Sequence, residues 1–559
     1  MAKRQSRGRQ DAEVAAALAE ATATAQRGDA MGALARLLRA ARAWPAAAAL
    51  YPPLAQKLMP VRFTQANAAL TEAIANAVRA PWIDPQPLAP AALSALKARH
   101  GIGRPDDLPD VAEAIAALGD DPLALALLER VLLPDVAFEA FLVRARARLL
   151  DETGEEPPAT TARFLAALAR QALLNGWMWA ETEAETAAVA RLEQDLATAD
   201  AFDRRHVVYA LYRPLADLSS IDALAARAKS PWREAARALV VEPLEERRLA
   251  AAMPSLTEGA AIGDAEAATD AVKAQYEAYP YPRWVAVASR RPRPIRDVAA
   301  ALFPAAALPD WPRDRLDVLI AGCGAGKHVA DVASRFSGAR ILALDLSRTA
   351  LGYAARAMKN QPDIAFAQAD ILALGGLERR FDHIESVGVL HHLADPLGGW
   401  RILAGLLKPG GSMRVGFYSA RGRSRIQAAR TALRAAGFDG ATDADLRAAR
   451  AHALAAPADA PERLAVDELD FYAASGARDF LFHANEFEYS PAELADMVDA
   501  LGLCVLGLEL MDPAAAERYR ARFPDDPAMA DLRRWDEIEA EAPDTFRHMC
   551  QFWVARPAA

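Results

Sequence analysis

Asp317-Val318-Leu319-Ile320-Ala321, followed at once by Gly322-Cys323-Gly324-Ala325-Gly326, is a short apolar run broken by a glycine turn. Lys327 to Phe336 then has helical spacing, so the passage is expected to be strand, turn and helix. Such a turn brings backbone N–H groups and a helix N-terminus up to a ligand. The glycine spacing narrows the choice of ligand. A dinucleotide fingerprint, GxGxxG, would need glycine at 327, where Lys327 stands, and no GK[ST] follows to make a phosphate-binding P-loop. A nucleoside ligand without a pyrophosphate remains.

Strands and helices alternate from there on. Ile341-Leu342-Ala343-Leu344-Asp345 reads as a second strand, and Ser347 to Asn360 as a helix with Ser347 as its N-cap. Ile364 to Ala367, Phe381 to Val387 and Ser412 to Phe417 read as three more strands, the last announced by the turn Lys408-Pro409-Gly410-Gly411. Such alternation predicts a parallel sheet with helices on both faces. Leu503 to Leu510 and His548 to Val554 are two later strands, compatible with an antiparallel edge, with a helix at Pro491 to Leu501 before them. Asp345 closes the second strand, where a carboxylate can accept from both hydroxyls of a ribose. Asp370 follows the third strand with Ala369 and Ile371 beside it, suited to an adenine amino group against an apolar wall.

Val318 to Gly326, Ala343 to Ser347, Gln368 to Leu372, Phe381-Asp382-x-Ile384, Gly388-Val389-Leu390-His391-His392-Leu393 with Asp395-Pro396, and Leu407 to Gly411 together resemble a class I S-adenosylmethionine-dependent methyltransferase. The resemblance implies an α/β Rossmann-like domain with a mostly parallel seven-stranded sheet and S-adenosylmethionine as cofactor. The cofactor would lie against Gly322, Gly324, Gly326, Asp345, Leu346, Asp370, Ile371, Gly388 and Tyr276. Tyr276 to Trp284 and Arg478 to His483 resemble, more narrowly, a bacterial subgroup with a helical, often tetratricopeptide-bearing N-terminal region. The family's usual acid two residues before the first glycine is replaced by Ile320. Tyr276 and Arg283 are candidates to hold the methionine end instead, as a lid, or else this aromatic element only packs two domains together. The family needs no metal or catalytic nucleophile. If a base is used, His391 would face the reacting centre and His392 would point away, while His483 and Glu486 could reach over the mouth.

Upstream, residues 11–271 are rich in Ala and Leu at helical spacing, with Pro and Gly clustered at 81–90, 101–109 and 154–158. An all-helical region is expected there. Its start suggests a tetratricopeptide pair around Gly28-Asp29, without a sustained period. The basic stretch 1–10 is expected to be a disordered tail, and 272–300 an aromatic, Pro- and Arg-rich connecting lid. The catalytic domain is expected at 301–559, with insertions at 440–490 and 513–545.

The 559 residues suffice for about three or four domains. With 53% hydrophobic and 25% charged residues the composition is that of a globular protein, and no stretch approaches the roughly 18 apolar residues of a membrane span. Three widely spaced cysteines, Cys323, Cys504 and Cys550, exclude a disulfide framework and point to a reducing cytosol. The net charge of −9 does not favour nucleic acid. One stretch departs from it: residues 396–438 hold no acid but contain Arg401, Lys408, Arg414, Arg421, Arg423, Arg425, Arg430 and Arg434. It is either a solvated helix face or an attractant for an acidic or anionic substrate group. The large helical region favours a protein or peptide acceptor. The rivals are a small-molecule methyltransferase whose helices dimerise or cover the site, and a scaffold that binds the cofactor without turnover.

Overall fold

The helices of the N-terminal half start where short polar side chains can cap them. Asp29, Asn67, Asp110, Asp121 and Asp135 each accept from a backbone N–H of the following first turn. Thr182 and Glu185 form a reciprocal capping box. In the computed structural model, which describes residues 2–103, 108–152, 156–259 and 263–557, this half is helical throughout. Parts of two predicted turn clusters, 104–107 and 153–155, lie outside the described residues. Apolar stripes of the helices meet in one core that includes Leu37, Leu54, Ile74, Leu93, Leu127, Phe141 and Leu165. The first helix spans Ala2–Gln26, so the basic stretch is helical and not a disordered tail. Its Ala, Lys, Arg and Gln favour helix, and they extend turns already nucleated beyond Asp11.

Seven strands build the second half: β1 (Leu316–Ala321), β2 (Ala339–Asp345), β3 (Ile364–Gln368), β4 (Phe381–Val387), β5 (Leu407–Phe417), β6 (Cys504–Leu508) and β7 (Cys550–Ala555). Their order is β3-β2-β1-β4-β5-β7-β6. All neighbours pair parallel except β7, which runs antiparallel to both β5 and β6. Strand alternation sends Leu319 and Leu342 to one buried face and Val318, Ile320 and Ile341 to the other. The chain leaves β1 toward β2 and β3, then returns to the far side of β1 as β4. That reversal opens a crevice at the carboxyl ends of β1 and β4.

Helices Ser424–Ala435, Asp443–Ala455 and Ala474–Phe482 form an insertion after β5 with a core of its own, containing Leu433, Leu446, Phe471 and Phe480. Helices Pro513–Arg522 and Leu532–Glu541 form another between β6 and β7. The two halves interlock. Backbone at Pro254 to Leu256 bonds the edge of β3, with Gln368 N–H donating to the Pro254 carbonyl at 2.8 Å and Leu256 N–H to the Gln368 carbonyl at 2.9 Å. Buried Arg450 of the insertion forms a bidentate pair with Glu139 of the helical half. The expected lid begins as helix, Glu266–Ala278, and is irregular only after Tyr279, where Pro280 and Pro282 forbid further turns.

Candidate active site

Beyond β1 the chain turns through Gly322 (φ +79°), Gly324 (φ +52°) and Gly326 (φ +86°). At Gly324 two demands coincide: a left-handed backbone, and a Cβ that would stand 2.4 Å from the Tyr281 carbonyl oxygen. That carbonyl accepts from Ala325 N–H at 3.0 Å, and the Trp284 indole donates to the Ala325 carbonyl at 2.8 Å. The aromatic-proline segment is thus laid directly across the glycine turn. Behind it lies a cavity of about 500 Å³.

Gly322, Gly324, Asp345, Leu346, Asp370, Ile371, Gly388 and Tyr276 all line this cavity. Gly326 does not; it starts helix Lys327–Arg335, and its missing Cβ leaves room for Ala354 and Met358. Asp345 accepts from Gly324 N–H at 2.7 Å with one oxygen and from Ser347 N–H at 2.9 Å with the other. Each oxygen keeps a second lone pair, so the carboxylate is aimed before any ligand arrives. Burial pushes its pKa up, and those N–H bonds work against the rise. Asp370 uses Oδ1 to cap the turn Ile371–Gly376 through Leu372 N–H at 2.8 Å, and burial raises its pKa too. Two anchored acids, a glycine wall and apolar Leu346, Ile371 and Val389 fit a nucleoside with a free diol and an exocyclic amine. S-adenosylmethionine meets those terms.

Ile320 is fully buried, and Glu385 of β4 stands beside it in register. Glu385 binds His328 at 2.5 Å, Arg414 at 3.1 Å and His383 at 3.2 Å, and also Arg335. Burial alone would raise its carboxyl, but the two guanidinium groups outweigh that and hold it well below the usual range. Glu385 itself does not line the cavity, but its partners His328 and Arg414 do. Arg283 does not share in this. Its guanidinium lies over the Tyr353 ring, 5.8 Å from the centroid, and it does not line the cavity.

The proposed bases require correction. His391 is fully buried among His392, Phe417 and Tyr418, with neither ring nitrogen bonded, and it does not reach the cavity. His392 does line it. A 3-10 turn, Leu390–His392, rotates successive side chains by a third of a turn and exchanges the two expected orientations. The Nδ1 of His483 accepts from Asn485 N–H at 3.0 Å, which leaves its proton on Nε2, 3.1 Å from the Tyr276 hydroxyl. It has no free lone pair for a base. Glu486 accepts from Arg430 at 2.5 and 3.0 Å and from Arg423 at 3.2 Å, away from the cavity. Burial would raise its pKa; the arginines bring it below the usual value.

Among the cavity residues not assigned to the site from sequence are Asp479 and Tyr281, read only as part of the subgroup resemblance, and Tyr418. Asp479 had one legible signal, as the only acid on the helix Ala474–Phe482. His392, Asp479 and His483 bring possible metal ligands within 4.8 Å of one another, but the tautomer of His483 removes one of the three. Much of the acid-free stretch is paired from elsewhere. Arg421 pairs with Asp536 and Glu539, Arg414 with Glu385 and Glu509, and Lys408 with Asp317 and Asp382. These pairs offset the charge of Lys408, Arg414 and Arg421, whose acids fold against them from other parts of the chain.

Residues 318–411 match the family model described as a methyltransferase domain. An uncharacterised protein of Synechococcus sp. is 30% identical over 269 residues, 44% of this chain and 61% of that protein. Ubiquinone biosynthesis O-methyltransferase of Alkalilimnicola ehrlichii is 33% identical over 96 residues, 17% of this chain and 38% of that one. The structure of PKMT2 from Rickettsia typhi in complex with AdoHcy superposes with a TM-score of 0.37 at 16% identity, covering 50% of this chain and 55% of that chain. The chain spans 61% and 38% of the lengths of these two curated relatives. Among the described residues, no helix is long and apolar enough to cross a membrane.

Proposed function

We propose that this chain, whose second half carries a class I S-adenosylmethionine-dependent methyltransferase domain, transfers a methyl group to an acceptor held where His392, Tyr418 and Asp479 line the cavity. The observation that carries the reading is Asp345, fixed by Gly324 and Ser347 with lone pairs to spare, beside Asp370 just beyond the next strand. When bound, the cofactor supplies a sulfonium-activated methyl group, whose S–C electron pair stays on sulfur as the acceptor's lone pair takes the carbon. The chain's task is alignment and exclusion of water. Asp345 and Asp370 orient the nucleoside, and Tyr281 with Pro282 closes the cavity over the glycine turn. Asp84 of the helical half also reaches the cavity wall, where it pairs with Lys327 at 2.9 Å.

A protein or peptide acceptor, recognised partly by the helical half, is the first acceptor reading; it would insert one side chain into the cavity. A small-molecule acceptor is the second, and one observation favours it. Asp84, Thr269 and Val272 of the helical half wall the cavity, so this half covers the site as well as extending from it. The free cysteines fit a reducing cytosol.

Calorimetry tests the core of the reading. The full chain should bind S-adenosylmethionine, and Asp345→Ala should abolish binding; no binding by the intact protein overturns the function. Incubating cell extract with labelled methyl donor then sorts the acceptors. Label in macromolecules supports the first reading and label only in small solutes the second. Donor binding with no label at all indicates a scaffold without turnover.

A further inference from the structure

The part of the cavity wall that follows β4 and β5 is unlike the part that follows β2 and β3. It holds Tyr276, Tyr281, Tyr418, His392 and Asp479. Asp479 is 3% exposed, and its only hydrogen bond comes from the Tyr276 hydroxyl, which donates to Oδ1 at 2.6 Å. Oδ2 has no partner among the described residues. Among the described residues no lysine or arginine comes within 4.0 Å of either oxygen, and the one basic neighbour in that range is His483 Nε2 at 3.8 Å, on a ring that burial keeps neutral. Asp470 is placed alike. It accepts from the Tyr281 hydroxyl at 3.0 Å, has no cationic partner, and lines two smaller cavities that share Tyr281 with the main one. Arg423 lies over the Tyr418 ring at 3.9 Å and is paired with Glu486, while Arg414, which does line the cavity, is paired with Glu385 and Glu509.

A carboxylate removed from water is costly unless a counter-charge accompanies it. Here Asp479 faces the main cavity with no ion-pair partner, among tyrosine rings whose electron-rich faces attract cations, and Asp470 faces the adjoining cavities across Tyr281. The same charges repel an anion. We propose that the methyl acceptor is an amine, bound as its ammonium by Asp479 with Asp470 behind Tyr281. The inference rests on the methyltransferase reading and supplies its substrate class. Deprotonation falls to His392. Its Nδ1 donates to the Asn485 carbonyl at 3.0 Å, so in the neutral ring Nε2 carries a lone pair. The ammonium gives one proton to that nitrogen, leaving a neutral amine with a free electron pair and an imidazolium beside Asp479. The amine belongs either to a small molecule or to a lysine side chain of a protein; the chemistry is shared.

The test uses the full chain saturated with S-adenosylhomocysteine and titrated with tetramethylammonium chloride, acetate and tert-butanol. Only the cation should bind, and Asp479→Asn, which keeps the Tyr276 hydrogen bond, should weaken it about tenfold or more while donor affinity is unchanged. Equal binding of tert-butanol, or loss of donor affinity in Asp479→Asn, overturns the inference; the latter would assign Asp479 to the donor's own ammonium. In labelled extract, the methyl group should survive strong acid and mild alkali, as N-methyl does, in small amines or in lysine of macromolecules according to the source. Label released as methanol, or found on oxygen or carbon, sinks the amine while methyl transfer stands. Absence of donor binding by the unaltered chain is the separate failure of the function itself.

Discussion

At Asp470, burial raises the carboxyl pKa from 3.8 to about 6, with Asp479 and Glu468 adding to the rise and Tyr281 and Arg423 opposing it. A carboxyl whose pKa is higher folded than unfolded holds its proton better in the folded state. Its stabilising share is complete below about pH 4 and is lost as pH rises through about 6. Asp470→Asn should therefore gain about 1–3 kcal/mol over the parent chain above pH 6, a gain that vanishes near pH 4 and can be read from denaturant melts at both pH values. Amine binding should run the other way and weaken as pH falls below 6, because the counter-charge is then protonated. A second residue-scale prediction concerns Gly324. Gly324→Ala forces a Cβ onto the Tyr281 carbonyl in a left-handed conformation, so the lid segment must lift. Donor affinity should fall by at least about tenfold, with a lowered melting temperature, as expected for strain of a few kcal/mol; an unchanged affinity would show that the Tyr281 contact is dispensable.

At the scale of elements, the strand–turn–helix passage was legible because its glycines, Asp345 and Ser347 lie close together in sequence and act on one another locally. The orientation of the histidine pair was not, since it turns on a single 3-10 step, Leu390–His392. Nor were the partners of the arginines. Arg421 is paired by Asp536, 115 residues away, and Arg450 by Glu139, 311 residues away. The Arg450–Glu139 pair ties the insertion after β5 to helix Val136–Asp151. Arg450→Ala leaves a buried carboxylate unpaired and should cost about 3–5 kcal/mol, whereas joint replacement of Arg450 by Met and Glu139 by Leu should recover most of it. Chemical denaturation of the three chains decides this, and an additive double variant would show that the pair holds nothing together.

The whole molecule joins two halves that composition and periodicity distinguish sharply but cannot dock. Helix Glu242–Ala251 packs on helix Arg348–Ala357, where Gly352 admits the Glu246 carbonyl and Arg356 pairs with Glu246 at 2.7 Å. Pro254 to Leu256 covers the open edge of β3. A fragment beginning at residue 279 would lose the edge cover, Tyr276 and the Asp84 wall together. It should aggregate or bind donor far more weakly than the full chain, by light scattering and calorimetry; a soluble fragment with full affinity would show the helical half to be independent of the site.

By itself the sequence determined the two halves, the seven-stranded α/β class and the nucleoside edge of the site, because each rests on short-range periodicity and on residues that close successive strands. Only the tertiary structure assembled the tyrosine-lined wall around Asp479. Asp479, Tyr281 and Tyr418 come from an insertion, a connecting segment and the end of β5, and they acquire meaning through burial beside one another. The pairing of the basic stretch 396–438 has the same cause. A charge is defined by what folds against it, and those partners lie 26 to 118 residues away along the chain.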